Sequence, residues 1–277
     1  DLPELAAQLD GLPLALELAA GRLGVLSVRD VLDRLGPSLL RRGTDDRHGT
    51  LQAALEWSWS LLSAPERTAL SQLSIFAGGF TLEAAEDVLV LPHVSVLKVV
   101  DLLVERSLVR VGATGRLGLL VQVQAFVAAK LHDTDAVQRR HGAHFARHGT
   151  DEAIGSLDRH GSVTARRALT LELDNLLAAC RRAVERGDGE VAASTYLGAS
   201  TVLRLQGPFE VAAQLGQAVA GMSVLCRSST ARVARAVGDA LRLMGRMDEA
   251  RSHFDAALAV HREVGDRRLE GIMLGYL

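Results

Sequence analysis

The sequence predicts a mainly α fold in which one short β-hairpin interrupts a run of helices that ends in a helical repeat. Three observations carry this. Aromatic residues make up only 4%, and apolar residues, mostly Ala and Leu, recur at helical spacing along almost the whole chain. Within "SLVRVGATGRLGLLV" the chain reads instead as two short strands around a Gly-Ala-Thr-Gly turn. Near the C-terminal end, small and aromatic residues fall at fixed offsets, the mark of stacked helix pairs. The 277 residues exceed one ordinary helical core, so roughly two or three domains are expected.

Taken in order, Leu2, Leu5 and Leu9 share one face of a first helix, which Gly11 ends because glycine tolerates positive φ. Pro13 then falls in the first turn of a second helix, where its missing N–H costs nothing, and Leu14, Leu16, Leu18 and Leu23 carry that helix. A third helix, "SVRDVLDRL", has Ser27 as N-cap. "GPSLLRRGTDD" reads as a loop or short turn and marks a boundary near residues 36–47. Leu51, Ala54, Leu55, Leu61 and Leu62 suit the next helix, and "SAPER" restarts another with Pro65 in its first turn. Gly78-Gly79 ends it and Thr81 caps "TLEAAEDVL". The stretch 93–106, "HVSVLKVVDLLVER", has apolar residues all round its axis and is expected to be buried. Three helices followed by a hairpin is the winged-helix order. Beyond residue 121 the pattern is helical to the end, with "VQAFVAAKLHD" and "AVQRRHGAHFARHGT" as two amphipathic helices. In "VGDALRLMGRMDEARSHFDAALAVHREVG", Gly238, Gly245, Ala250, Phe254 and Ala257 are spaced by 7, 5, 4 and 3 residues, the small and aromatic positions of a tetratricopeptide (TPR) unit. "LGASTVLRLQGPFEVAAQLGQAV" reads as a degenerate earlier unit, and "LGYL", with Gly275 thirty-seven residues after Gly238, as the start of a later one.

Composition excludes several classes. A net charge of −2 gives no general attraction to nucleic acid or anionic lipid. Lys98 and Lys130 are the only lysines. Cys180 and Cys226 have no metal-ligand spacing and are expected to be reduced and buried, as in a cytoplasmic protein. No apolar run is long enough to span a bilayer, and no signal peptide is expected. Because the chain opens on Asp1 within a helical pattern, it is expected to be a fragment of a longer protein.

Few motifs carry chemistry. There is no Gly-x-x-x-x-Gly-Lys-Ser/Thr loop and no apolar strand ending in a Mg²⁺-holding Asp, so no catalysis is expected. His141, His144 and His148 share a helical face, as zinc ligands can, but Arg139, Arg140 and Arg147 crowd it. A solvated or interdomain basic face is expected there, and no metal. Arg47 and His48 read as an interdomain contact rather than a catalytic base. A DNA-reading winged helix needs a basic footprint and polar side chains aimed at base edges. Residues 64–121 hold five Lys/Arg against six Asp/Glu, and residues 93–106 offer only Lys98 and Arg106 against Asp101 and Glu105. No direct nucleic-acid binding and no membrane binding is expected of this chain.

Four stretches, "LDGLPLALELAAGRL", "RHGTLQAALEWSWSLLSAPERTALSQLSIFAGGFTLEAAEDVL", "LLVERSLVRV…GRLGLLVQVQAFVAAKL" and "LELDNLLAACRRAVERGD", in this order and spacing, resemble the bacterial STAND ATPases with an NB-ARC module. The resemblance covers almost the whole chain and is most specific in residues 8–90. It implies the C-terminal part of the NB-ARC helical subdomain over 1–46 and a winged-helix domain with flanking helices over 47–131. Connecting helices over 132–165 and a truncated TPR-like α-solenoid over 166–277 would follow. Gly11, Leu12, Pro13 and Leu14 match the family's Gly-Leu-Pro-Leu motif, whose proline packs near adenine. At the family's Met-His-Asp motif, whose histidine reaches the ADP β-phosphate, this chain has Leu119, Leu120 and Val121, and leucine cannot donate a hydrogen bond. Arg47, His48 and Trp57 match the joint between the two subdomains. ADP or ATP would bind only with the phosphate-loop domain joined, and a protein partner or small-molecule inducer would bind the repeats. A homo-oligomer is implied for the full-length protein. A freestanding TPR-type adaptor with a degenerate NB-ARC remnant is the alternative.

Overall fold

The computed structural model describes residues 2–9, 11–23, 26–40, 47–157, 162–265 and 267–276. It is mainly α, with one two-stranded antiparallel sheet among the described residues. The chain divides into two compact units, Asp1–Thr134 and Asp135–Leu277.

The first unit opens with α1 (Leu2–Gln8), α2 (Pro13–Ala20) and α3 (Val28–Leu40). Gly11, at φ +62°, turns the chain between α1 and α2. Ser27 caps α3 reciprocally: its hydroxyl accepts from the Asp30 N–H at 3.1 Å while Asp30 Oδ2 accepts from the Ser27 N–H at 3.0 Å. The helix does not stop at Gly36 as its sequence suggests but continues to Leu40. Val31, Leu32, Leu35 and Leu39 keep the helical period across Gly36-Pro37, and Pro37 costs one backbone bond without ending the helix.

The rest of this unit follows the winged-helix order. α4 (Arg47–Ser60) packs on α2 and α3, then α5 (Ala64–Leu73), α6 (Leu82–Val88) and α7 (Val96–Glu105) precede the strands β1 (Arg110–Val111) and β2 (Leu117–Gly118) and the closing α8 (Val121–Ala128). Ser63 caps α5 with Glu66, whose carboxylate accepts from the Ser63 N–H at 2.7 Å. β1 and β2 pair Arg110 with Gly118 and Val111 with Leu117 across a turn in which Gly115 takes φ +76°. Phe80 adds a short third edge by exchanging two 2.8 Å backbone hydrogen bonds with Leu117. Gly79 permits this, because a Cβ there would lie 2.9 Å from the Leu117 carbonyl oxygen. One expectation is corrected: α7 is not buried all round. Val99, Val100 and Leu103 are buried, but Leu97 is 46% exposed beside exposed Lys98, Asp101 and Glu105. A three-helix domain this small has core on one side of the helix only.

The second unit is all helical among its described residues. It runs α9 (Thr134–Ala146), a 3-10 turn (Arg147–Gly149), α10 (Asp151–Ser156), α11 (Val163–Leu171), α12 (Leu173–Arg186), α13 (Gly189–Gln206), α14 (Phe209–Ala220), α15 (Arg227–Leu243), α16 (Met247–Val264) and α17 (Arg267–Leu274). From α12 onward each helix packs on the next, the arrangement of a solenoid. The core runs along the stack, through Cys180, Tyr196, Val237, Phe254 and Met273.

Candidate functional site

In the first unit, Leu12 is the extended N-cap residue of α2 and Pro13 its first residue, with no side-chain cap. The Pro13 ring is exposed, whereas Leu12 and Leu14 are half-buried. Three apolar side chains therefore surround a helix start whose backbone is already fixed. The other end of α2 is locked inward. Gly21 lies against Arg106, whose carbonyl carbon and oxygen would be 3.2 Å from any Cβ at that position. Arg22, 6% exposed, donates from Nη2 to the Ser58 carbonyl at 3.2 Å. Arg106 pairs with the 2%-exposed Glu66 at 3.1 Å. Burial, and then the positive charge of Arg106, bring Arg22 down to about 10, with Glu66 acting in the opposite direction. Glu17 on α2 also pairs with Arg110 on β1. The sequence pattern singled out Gly11–Leu14 but not Arg22, Glu66 and Arg106. The one cue to this network was Glu66 at the third position of a capping box.

Leu120 is the N-cap residue of α8 and is half-buried, while the following Val121 is 76% exposed. Neither side chain can bond a phosphate. Trp57 is buried in α4, and the side chains of Arg47 and His48 lie outside the described residues.

In the second unit, the predicted repeat positions meet. Gly238 on α15 faces Phe254 on α16, and a Cβ at Gly238 would lie 2.6 Å from Phe254 Cε1. Gly245 turns the chain between the helices at φ +77°. Ala250, Phe254 and Ala257 are buried, and Phe254 stacks on Tyr276 at 4.9 Å. The earlier register lies one helix upstream of the stretch that the sequence suggested. Cys180, Gly187, Ala192, Tyr196 and Ala199 repeat the same 7, 5, 4, 3 spacing on α12 and α13. Their four non-glycine members are 0% exposed, and Gly187 turns at φ +72°. Gly216 on α14 makes room for this pair, since a Cβ there would lie 2.3 Å from the Tyr196 hydroxyl.

Two further expectations are corrected here. The histidine face is not solvated: His141 is 0% and His144 7% exposed. Gly142 lets α9 approach α13, where a Cβ would lie 2.9 Å from Val191 Cγ1, and this closes the face off. His141 Nε2 lies 3.4 Å from Asn175 Oδ1. Burial, followed by the charge of Arg182, holds His141 down to about 3, a neutral core imidazole. Among the described residues no group of three or more metal-ligating side chains occurs. Cys226 is exposed as the N-cap of α15, whereas Cys180 is buried and pushed up to about 12 by desolvation.

A cavity of about 250 Å³ opens between α13, α14 and α15, with Ile154 and Tyr276 at its margin. Ser200, Arg204, Phe209, Arg235, Asp239 and Leu243 are among its walls. Asp239 is 7% exposed, 3.6 Å from Arg242 Nη2 and 4.0 Å from Arg235 Nη1.

No family model matches the chain. A "Putative HTH-type transcriptional regulator" of Mycobacterium tuberculosis is 34% identical over 198 residues, which is 66% of this chain and 22% of that protein. An uncharacterized protein of the same organism is 44% identical over 90 residues, 31% of this chain and 23% of its own length. The chain thus spans less than a quarter of the curated relatives it matches. A solved STAND protein with a tetratricopeptide repeat sensor from Pyrococcus horikoshii is 14% identical. It covers 92% of this chain and 42% of its own at a TM-score of 0.39, a likeness too loose to bear on site or activity. Among the described residues no helix is long and apolar enough to cross a membrane.

Proposed function

We propose that this chain is the regulatory and partner-binding portion of a STAND-type nucleotide switch that controls transcription, with no catalysis of its own. The observation that carries the reading is the two-ended helix α2. Its start bears the Gly11–Leu14 motif with an exposed proline ring, and its end is locked to Arg106 of the winged helix beside buried Glu66. A nucleotide held against Pro13 would bear directly on the element that joins to the winged helix. The name of the mycobacterial relatives supports the transcriptional part of the reading.

ADP or ATP would need a phosphate-loop domain joined to this chain, since none of its own residues form one. Leu12, Pro13 and Leu14 fit an adenine face, being apolar and fixed at a helix start. Leu120 does not fit a phosphate, so the winged helix would hold the resting state through packing rather than a histidine bond. Occupation of the repeats would shift a two-state equilibrium by its differential affinity for the two states. In this reading the protein acts in the cytoplasm, the full-length form oligomerises, and the portion described neither reads DNA nor binds membrane.

The test is equilibrium dialysis of labelled ADP against the product of the whole reading frame. ADP retention, weakened several-fold by Pro13→Ala, is the expected result. Failure to retain any nucleotide would sink the switch. The second reading, a TPR adaptor with a degenerate nucleotide module, would then hold, and Leu120 at the histidine position is what favours it.

A further inference from the structure

The cavity of the second unit has features that a protein-docking groove does not need. Asp239 is more than nine-tenths buried, and its Oδ1 makes no hydrogen bond within the described residues. Its two guanidinium neighbours stand at 3.6 and 4.0 Å, too far for the short charge-assisted bonds that repay burial of a carboxylate. Arg204, in the last turn of α13, also lines the cavity; it is exposed and makes no hydrogen bond or ion pair among the described residues. Among the described residues Arg235 is held only by the 4.0 Å contact to Asp239. Phe209 and Leu243 supply an apolar wall, and the Ser200 hydroxyl a further polar one. One buried acceptor, two under-used planar donors and an apolar surface are thus gathered in about 250 Å³. That is less than the space a drug-sized ligand takes, roughly 300 Å³ or more.

We propose that this cavity binds a small apolar α-amino acid, its carboxylate on Arg204 and Arg235, its ammonium on Asp239 and its side chain against Phe209 and Leu243. This rests on reading the repeats as the sensing part of the protein and names the chemistry they sense. The charges decide the class. A phosphate ester or dicarboxylate would meet the Asp239 charge, a simple amine would leave both guanidinium groups unused, and only a zwitterion answers both signs. A folded partner cannot enter a space of this size.

Isothermal titration of the 277-residue chain with L-leucine tests this, with leucinamide and 4-methylpentanoate as probes lacking the carboxylate and the ammonium respectively. Leucine should bind, and each analogue should bind about tenfold or more weakly, the usual loss for a charged hydrogen-bond partner. Asp239→Asn should weaken leucine but leave 4-methylpentanoate unchanged, and Arg204→Met should weaken both. Because Arg204 is exposed, that variant tests the site even if Asp239→Asn fails to fold. The proposal would be overturned by no binding of leucine, isoleucine, methionine or phenylalanine at about 10 mM, by equal affinity for leucine and 4-methylpentanoate, or by full binding by Arg204→Met. Tighter binding of trileucine than of leucine would overturn it in favour of a peptide site. ADP retention by the full reading frame is a separate measurement, so either result can fail while the other stands.

Discussion

Replacing Gly238 by alanine puts the repeat packing to the sharpest test, because two opposing effects have known sizes. In an open helical position, Gly→Ala stabilises by about 1 kcal/mol through backbone entropy. Gly271 on α17 is such a position, with nothing within 4 Å of a would-be Cβ. At Gly238 the same methyl would meet Phe254 at 2.6, 2.8 and 3.0 Å. The ring cannot swing away, being 1% exposed and stacked on Tyr276 at 4.9 Å with planes 18° apart. Overpacking of this kind costs about 1–3 kcal/mol, so after the propensity gain Gly238→Ala should be destabilised by up to about 2 kcal/mol. Gly271→Ala should gain about 0.5–1 kcal/mol. Urea denaturation followed by far-ultraviolet ellipticity measures both. Trp57 and Trp59 both lie in the first unit, so their emission follows that unit by itself. A Gly238→Ala protein at least as stable as Gly271→Ala would refute the helix contact described for α15 and α16.

Other perturbations have equally definite outcomes. Glu66→Ala strips the partner from Arg106 and the compensating charge from Arg22, both in the first unit, and should cost about 3–5 kcal/mol on the tryptophan-emission transition. Gly149→Ala should destabilise more than Gly238→Ala on the ellipticity transition, because its Cβ would lie 1.7 Å from the Ser194 carbonyl oxygen and backbone must move. Titrating His141 should weaken the fold in acid. Its folded value is lowered to about 3, so the unfolded chain binds the extra proton first. This contribution is fully present above about pH 6.5, is lost as the pH falls toward 3, and should flatten in His141→Gln. A thiol reagent should label Cys226 in the native protein and reach Cys180 only in urea, since Cys226 is exposed and Cys180 is 0% exposed with its thiol pushed up to about 12.

What the sequence disclosed follows from the range of the forces involved. Gly11, Pro13, Ser27, Pro65, Thr81 and the Gly-Ala-Thr-Gly turn act within a few residues of themselves, so their helix starts and the hairpin were legible. Burial is set by partners far away in sequence. His141, His144 and His148 looked solvated beside Arg139 and Arg140, because nothing local announces that Gly142 will admit Val191 from a helix about fifty residues on. Cys226 looked buried for the converse reason: its helix begins at Arg227, and a cap position lies outside the packed face. Leu97 was misread because apolar residues exceeded the surface that so small a domain can cover.

The repeat array shows the same limit more sharply. Tyr196 and Phe254 occupy equivalent positions in two helix pairs with identical spacing, yet they lie 58 residues apart, which is no multiple of the roughly 34-residue period of such units. The single helix α14 stands between the pairs, where a regular array places either none or a whole further pair, so a search at fixed period passes over the first pair. Cysteine at the small position and tyrosine at the aromatic one hide it further. Both substitutions are physically sound: the Cys180 thiol is small enough for the contact and donates to the Ala192 carbonyl at 3.4 Å, while the longer Tyr196 is accommodated by a glycine on the next helix. That irregular step brings α13, α14 and α15 together around Arg204, Arg235 and Asp239. If the step exists to form the cavity, Gly216→Ala, by forcing the Tyr196 hydroxyl away from 2.3 Å, should lower leucine affinity along with stability. Gly142→Ala, whose Cβ would lie 2.9 Å from Val191 Cγ1, a residue that does not line the cavity, should lower stability with little effect on binding. Equal loss of binding in the two variants would mean that the cavity is a by-product of the irregular packing rather than its purpose.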